Sequence, residues 1–268
     1  MSPITHLLNA TRTGWTRALP SRCFVCGVWP ARPWGASWCA PCEAKWGRAV
    51  SRCQRCAARL YTPGATCGAC LIQPPPLASC LAAVDYGYPW ANIIVRLKKE
   101  HGAAWARPLA ELMWPTIEQY FGHNLPTVWA PIALHPSKLR ERGHNQAWAL
   151  AQALSALAKA AQAPPHRLHA DLLVRVREGL PQHELKLAAR WANMRDSFAA
   201  NPILPKSPVD PDNTEMTPEV LLVDDVYTTG ATLHAAALVL QQQFGAKVHA
   251  VVFARTPPQR SKSHSGQG

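Results

Sequence analysis

Two sets of residues in this chain are spaced for chemistry. The first is eight cysteines arranged as four pairs, Cys23-x-x-Cys26, Cys39-x-x-Cys42, Cys53-x-x-Cys56 and Cys67-x-x-Cys70. A gap of two residues lets both thiolates of a pair reach one tetrahedral ion, so the pairs supply ligands for two four-cysteine zinc sites. Pairing in order gives two stacked zinc ribbons. Interleaved pairing uses the same ligands, and spacing alone permits either. Four thiolates leave no open coordination position, so the zinc is expected to staple the fold rather than to catalyse. A redox role for the thiols is the competing chemistry. Cys80 lies outside the pattern and suits a small buried apolar residue.

The second set is Val220-Leu221-Leu222-Val223-Asp224-Asp225-Val226-Tyr227-Thr228-Thr229-Gly230-Ala231-Thr232. An apolar strand ends in two acids, turns through small hydroxyl residues and a glycine, and enters a helix. Such a turn presents backbone N–H groups and the positive end of a helix to a phosphate. Thr228, Thr229 and Thr232 add hydroxyl donors, Gly230 permits close backbone approach, and Ala231 completes the turn. Asp224 and Asp225 suit ribose hydroxyls at the carboxyl edge of a sheet, where open α/β folds bind ligands.

A basic loop, His135 to Gly143, brings Lys138, Arg140 and Arg142 after an apolar run. Cations there would hold a pyrophosphate and stabilise it as a leaving group; a solvated basic surface is the bland alternative. Arg175, Arg177 and Lys186 belong to the same electropositive rim. His135 and His144 are near by location only, so no catalytic residue is assigned.

The elements that must position these groups alternate along the chain. Leu81 to Tyr86, Thr127 to Leu134, Leu172 to Val176, Val220 to Val223 and Val248 to Ala254 read as strands. Trp90 to Lys99, Trp105 to Tyr120 (with Pro115 inside), Asn145 to Ala163 and Thr232 to Phe244 read as helices. Alternation of this kind predicts an α/β fold: a parallel sheet with helices on both faces, plus a small N-terminal zinc-ribbon module. The expected division is an N-terminal extension over 1–21, a double zinc ribbon over 22–73 and an α/β domain over 80–256. Residues 201–219 are rich in Pro, Asp and Ser and read as an exposed insertion; 257–268 read as a disordered tail.

The Asp224–Thr232 segment resembles the signature of type I phosphoribosyltransferases: four apolar residues, two acids, then Thr-Thr-Gly-x-Thr. The segment Pro131-Ile132-Ala133-Leu134-His135-Pro136-Ser137-Lys138-Leu139-Arg140-Glu141-Arg142-Gly143-His144-Asn145-Gln146 is similar to one in the ComF (competence factor) family of phosphoribosyltransferase-like proteins. Leu97-Lys98 and the series Arg175, Arg177, Gln182, Leu185, Arg190, Asn193, Phe198 resemble that family's further motifs, the latter its mobile loop. With the cysteine pairs, the resemblance spans roughly residues 22 to 256. His144 stands where the family has an aromatic residue, Gly179 where it has Thr, and Lys99-Glu100-His101 replaces an aromatic.

The resemblance implies that Asp224 and Asp225 hold the ribose hydroxyls of phosphoribosyl pyrophosphate, brought with Mg²⁺. It implies that Thr228 to Thr232 bind the 5-phosphate, and that Lys138, Arg140 and Arg142 bind the pyrophosphate. It further implies a part in natural transformation, with single-stranded DNA as a partner and membrane-associated uptake machinery nearby. The alternative is an active phosphoribosyltransferase of nucleotide metabolism that releases pyrophosphate, its acceptor unidentified.

Composition bounds these readings. The 268 residues are 48% hydrophobic, enough for a sizeable core, and carry a formal charge of +12. A basic balance suits polyanionic partners or reflects a plain bias towards arginine. No apolar run approaches the roughly 20 residues of a membrane span, so a cytoplasmic protein is expected. Trp29, Trp34, Trp38 and Trp46 lie among Arg22, Arg32, Lys45, Arg48, Arg52, Arg55 and Arg59. Aromatics beside cations can stack on a nucleic-acid strand, or the tryptophans form a mini-core around the metal.

Overall fold

The computed structural model describes residues 22–29, 38–47, 50–62, 64–99, 101–176, 197–201 and 217–257. The proposed N-terminal extension, Trp34, Gly179, most of the 201–219 segment and the residues from 258 onward lie outside them. So do Arg177, Gln182, Leu185, Lys186, Arg190 and Asn193 of the mobile-loop pattern.

The chain forms two compact units, Met1–Ala49 and Val50–Gly268. In the first, Cys39 leads into a short helix, α1 (Ala40–Trp46), whose second residue is a proline. Proline is tolerated there because the first N–H groups of a helix have no partner inside it. Cys23, Cys39 and Cys42 are buried, with Val25, Trp38 and Trp46 packed around them. Trp38 and Trp46 therefore form the mini-core, while Trp29 is 56% exposed.

The second unit begins with another cysteine cluster and a one-turn helix, α2 (Gly68–Ile72). Strand β1 (Ser79–Asp85) follows, then α3 (Trp90–Leu97), a 3₁₀ turn at Gly102–Trp105 and α4 (Ala106–Phe121). Pro115 sits inside α4, where it removes one ladder bond without ending the helix. Next come β2 (Val128–Pro131), α5 (Pro136–Arg142), α6 (Gln146–Ala160), β3 (Arg167–Leu168) and β4 (Leu173–Arg175). The chain ends in β5 (Phe198–Ala200), β6 (Glu219–Tyr227), α7 (Ala231–Phe244) and β7 (Lys247–Arg255).

Five strands form one parallel sheet in the order β1-β7-β6-β2-β3. β4 and β5 form a separate antiparallel pair. Parallel sheets are covered on both faces, so their strands read as near-continuous apolar runs, as β6 and β7 do. Val220 and Leu222 share one core with Leu233, Ala236, Ala237 and Leu240 of α7. On the opposite face, Phe253 meets Trp90 of α3 at 5.6 Å and His249 meets Phe121 of α4 at 5.2 Å. Each fully buried Val or Leu in these layers contributes about 1.5–3 kcal/mol.

Three local expectations differ. The segment 135–143 is not a loop: it is helix α5, started by His135, whose Nδ1 accepts from the Ser137 N–H, and stopped by Gly143 at φ +72°. β6 does not stop at Val223 but runs through both acids to Tyr227, held by pairing with Arg255 at the end of β7. β3 and β5 are too short to show a period.

The cysteines Cys53, Cys56 and Cys70 are part of the same core as the sheet and α7. Two hydrogen bonds join their knuckle to it: the Cys80 N–H donates to Gln54 O at 2.7 Å and the Arg55 guanidinium to Leu77 O at 2.7 Å. Cys70→Ser is therefore expected to destabilise the sheet unit by at least about 4 kcal/mol, roughly 10 °C in midpoint. Cys42→Ser should leave that transition in place. Calorimetric scans of the two variants check this.

Candidate functional site

Both acids of the strand–turn–helix are buried: Asp224 is 8% exposed and Asp225 4%. The Asp225 N–H donates to Asp224 Oδ1 at 2.9 Å. Lys98, the residue that ends α3, places Nζ 2.6 Å from Asp225 Oδ2. Gln146, at the start of α6, donates from Nε2 to Asp225 Oδ1 at 3.3 Å. Its own Oε1 accepts from Arg142 Nη1 at 3.1 Å. A chain of polar contacts thus runs from α5 through α6 to the acid pair.

The two carboxyls are driven apart electrostatically. Burial and the neighbouring Asp225 charge hold Asp224 well above the usual carboxylate range. Burial also pushes Asp225 up, but the Lys98 ammonium outweighs it and holds Asp225 below that range. Burial pushes Lys98 down, and the Asp225 charge more than reverses it, so the amine is raised. The fold therefore pulls the two acids apart, favouring the proton on Asp224 and the charge on Asp225 beside a charged lysine.

Downstream, Thr228 is exposed and Thr229 and Thr232 are half-buried, while Gly230 and Ala231 are buried. Gly230 has φ +86°, and a Cβ there would collide with the Tyr227 hydroxyl and lie 2.8 Å from His234 Nε2. Gly230 is also the N-cap of α7, and it has no side chain to satisfy the first N–H groups of the helix. Thr229 Oγ1 accepts from the Ala231 N–H at 3.4 Å. An uncapped helix start behind a tight turn is a fitting cradle for an anion.

The turn is braced from behind. The Tyr227 hydroxyl and His234 Nε2 are 2.8 Å apart. Burial pulls His234 down to about 4, so its ring is neutral, and pushes the Tyr227 phenol up. Arg255, 7% exposed at the end of β7, donates to the carbonyls of Tyr227 at 3.1 Å, Thr228 at 2.6 Å and Cys56 at 2.9 Å. Its guanidinium also lies 4.2 Å from the centre of the Tyr227 ring. A cavity of about 500 Å³ opens between the second cysteine cluster and this brace, lined by Cys56, Cys70, Tyr227, Thr229, His234 and Arg255 among others.

The basic residues separate. Arg142 is half-buried and joined to Gln146, whereas Lys138 pairs with Glu141 Oε2 at 2.8 Å and Arg140 is exposed. On a helix, residues two apart point to different sides, so Arg140 and Arg142 do not share a direction. Arg175 lies on β4, its guanidinium 5.5 Å from the Phe198 ring centre. His144 points Nε2 at Leu97 O, 2.9 Å away, and Nδ1 at Arg142 O, 3.1 Å away. Both of its nitrogens thus face backbone carbonyls rather than the acid pair.

The cysteine pairs group in order: Cys23, Cys26, Cys39 and Cys42 in one cluster, Cys53, Cys56, Cys67 and Cys70 in the other. Within each, all sulfurs lie within 4.8 Å of one another. Cys26 and Cys39 are 3.7 Å apart at sulfur, as are Cys56 and Cys67. Zn–S bonds of about 2.3 Å at tetrahedral angles require an edge of about 3.8 Å, so both clusters fit a zinc ion and neither spacing is a disulfide. Burial raises the Cys23 and Cys53 thiols, but backbone N–H groups outweigh it and bring them to about 6 and about 7. Both clusters could hold zinc, and Cys80 is buried outside them.

Lys98, Gln146 and Arg255 complete the site. Lys98 was legible from the Leu97-Lys98 pair; Gln146 lay at the end of the basic motif without a role. Arg255 carried no local signal, since its partners are distant in sequence. Among the described residues no helix is long and apolar enough to cross a membrane.

The fold and the site define a parallel α/β domain with a buried acid pair and a tight glycine turn into a helix, in a chain with two four-cysteine clusters. No protein-family model matches the chain. It is similar to the DNA utilization protein YhgH of Salmonella typhimurium, 27% identical over 242 residues, 89% of this chain and 98% of the relative. The protein of that name from Escherichia coli K12 is 26% identical over 246 residues, 89% and 98%. Competence protein F of Haemophilus influenzae is 27% identical over 207 residues, 76% and 84%. These relatives support a ComF-family protein.

Two outcomes follow from the site geometry. Asp225, lowered, adds stability that is present above the ordinary carboxylate range and is lost as pH falls through its lowered value. Lys98, raised, adds stability present below the ordinary amine value and lost as pH rises through its raised value. Lys98→Met leaves Asp225 charged and unpaired, with an expected loss of about 3 kcal/mol near neutral pH. That deficit should shrink as pH falls and Asp225 protonates, which urea unfolding at a series of pH values reads. Gly230→Ala is expected to cost about 1–3 kcal/mol through its φ alone, more with the collision, and thermal unfolding measures it.

Proposed function

We propose that the chain binds phosphoribosyl pyrophosphate at the carboxyl edge of its sheet and acts in DNA uptake, in the cytoplasm. The observation that carries the ligand reading is the segment Asp224 to Thr232. A buried acid pair lies near the end of a strand, and a helix start with glycine at its N-cap follows it. The first suits a ribose diol and the second a 5-phosphate. Mg²⁺ would accompany the ligand and offset the pyrophosphate charge, with Arg142 beside the acid pair and Lys138 and Arg140 on the same helix. Lys98 holds Asp225 in the free protein, so a ribose hydroxyl must share or displace that contact.

The relatives' names, DNA utilization protein and competence protein F, support the biological half of the reading. A charge of +12 favours a polyanion such as single-stranded DNA. Arg59 stacks over the exposed Tyr61 ring at 5.5 Å, an arrangement suited to a strand's bases and phosphates. Binding is placed before phosphoribosyl transfer because both His144 nitrogens face backbone carbonyls rather than the acids.

Titration calorimetry with phosphoribosyl pyrophosphate, with and without Mg²⁺, tests this on the zinc-loaded protein. Saturable, Mg²⁺-dependent binding is expected, weakened about 100-fold or more in Asp224→Asn/Asp225→Asn. Pyrophosphate release with an added acceptor would turn the reading into an enzyme. Absence of binding by the folded protein would overturn the ligand half and leave single-strand binding as the function.

A further inference from the structure

Arg255 touches both the Thr228–Thr232 turn and a cysteine cluster. Its Nε donates to Cys56 O at 2.9 Å. Its Nη1 donates to Thr228 O at 2.6 Å, to Tyr227 O at 3.1 Å and to Thr256 O. Cys56 is a ligand position of the second cluster, in a knuckle closed by the Ala57 N–H to Cys53 O and the Cys53 N–H to Ala58 O, both 2.8 Å. The Cys67 N–H donates to Cys53 Sγ at 3.3 Å, tying the second knuckle to the first.

A guanidinium is a rigid plane whose N–H directions are fixed relative to one another. Nε and Nη1 therefore cannot be aimed independently: a turn of the plane that follows Cys56 O also swings Nη1 away from Thr228 O. The plane is buried and packed on the Tyr227 ring, whose hydroxyl meets His234 just behind Gly230. Loss of metal from the second cluster removes the ion that would join its four sulfurs, and the knuckle that presents Cys56 O is then held by its backbone hydrogen bonds and packing alone.

We propose that Arg255 is a positioning residue that couples the metal state of the Cys53–Cys56–Cys67–Cys70 cluster to the shape of the Thr228–Thr232 turn. Through that turn it also sets the affinity for a phosphate ligand. The ligand half of this coupling rests on the phosphoribosyl reading above; the conformational half does not. The coupling is reciprocal by linkage, so a bound phosphoribosyl group also holds metal in the second cluster.

The test uses the full chain and two readouts, with zinc content measured throughout. Hydrogen exchange follows the amides of 228–232 against those of β7, and calorimetry follows phosphoribosyl pyrophosphate affinity. Arg255→Lys keeps the charge but cannot keep the fork. It should retain both zinc ions and β7 protection, yet speed exchange in the turn and weaken the ligand about tenfold, within the range of ordinary site-to-site coupling. Cys67→Ser, which removes the half-buried ligand of the second cluster, should reproduce the faster exchange. If β7 loses protection in that variant, Arg255→Lys decides alone.

Turn exchange in zinc-loaded Arg255→Lys equal to that of the wild type would overturn the coupling. Faster exchange in a protein whose wild type binds no phosphoribosyl pyrophosphate would uphold the conformational coupling and overturn the ligand reading instead.

Discussion

The structure depends most on one buried cation. Arg255 ends a central strand, and its guanidinium is the hub on which three chain segments agree: the second cysteine knuckle, the end of β6 and the turn that follows. Burying a charge costs several kcal/mol unless it is paired and hydrogen-bonded. Here backbone carbonyls and an aromatic face supply the compensation. A zinc tetrathiolate carries two net negative charges, so an occupied second cluster would also place Arg255 beside a counter-charge. The same residue thus satisfies carbonyls left over at the sheet edge and draws a metal module into the core.

The acid pair shows a complementary economy. Two adjacent carboxyls at 8% and 4% exposure cannot both ionise freely. One lysine separates them: Lys98 takes Asp225, and burial beside that charge raises Asp224. Gln146 and His144 are spent on the same arrangement. Gln146 fixes Asp225 from the side, and His144 bridges the ends of α3 and α5 through the Leu97 and Arg142 carbonyls. The histidine that departs from the family's aromatic residue is therefore a strut between the two helices that flank the acids.

Much of this was legible in the sequence, because it lies in local order. The cysteine spacing gave the metal clusters, and the Val220–Thr232 run gave strand, acids, turn and helix from residue types alone. Alternating apolar segments gave the parallel α/β class. Where reading failed, the cause was non-local. Lys138, Arg140 and Arg142 looked like a loop because charge masks the helix that Pro136 starts and Gly143 ends. β3 is two residues long and owes its existence to a neighbour, not a pattern. Consecutive knuckles looked like one module, yet Cys53, Cys56 and Cys70 share a core with residues near 250. Arg255 has no motif, since its meaning lies in a carbonyl 199 positions away.

That separation bears on the order in which the molecule can be made. The knuckle around Cys56 leaves the ribosome early and can gather metal at once, but the arginine that joins it to the turn belongs to the last strand of the sheet. β7 also lies between β1 and β6, so the first strand synthesised waits for the last before it has a neighbour. Contacts of such long range are slow to form. A nascent chain would therefore carry a finished cysteine knuckle and an unformed Thr228–Thr232 turn until β7 had emerged, and the turn would take its shape in one late step.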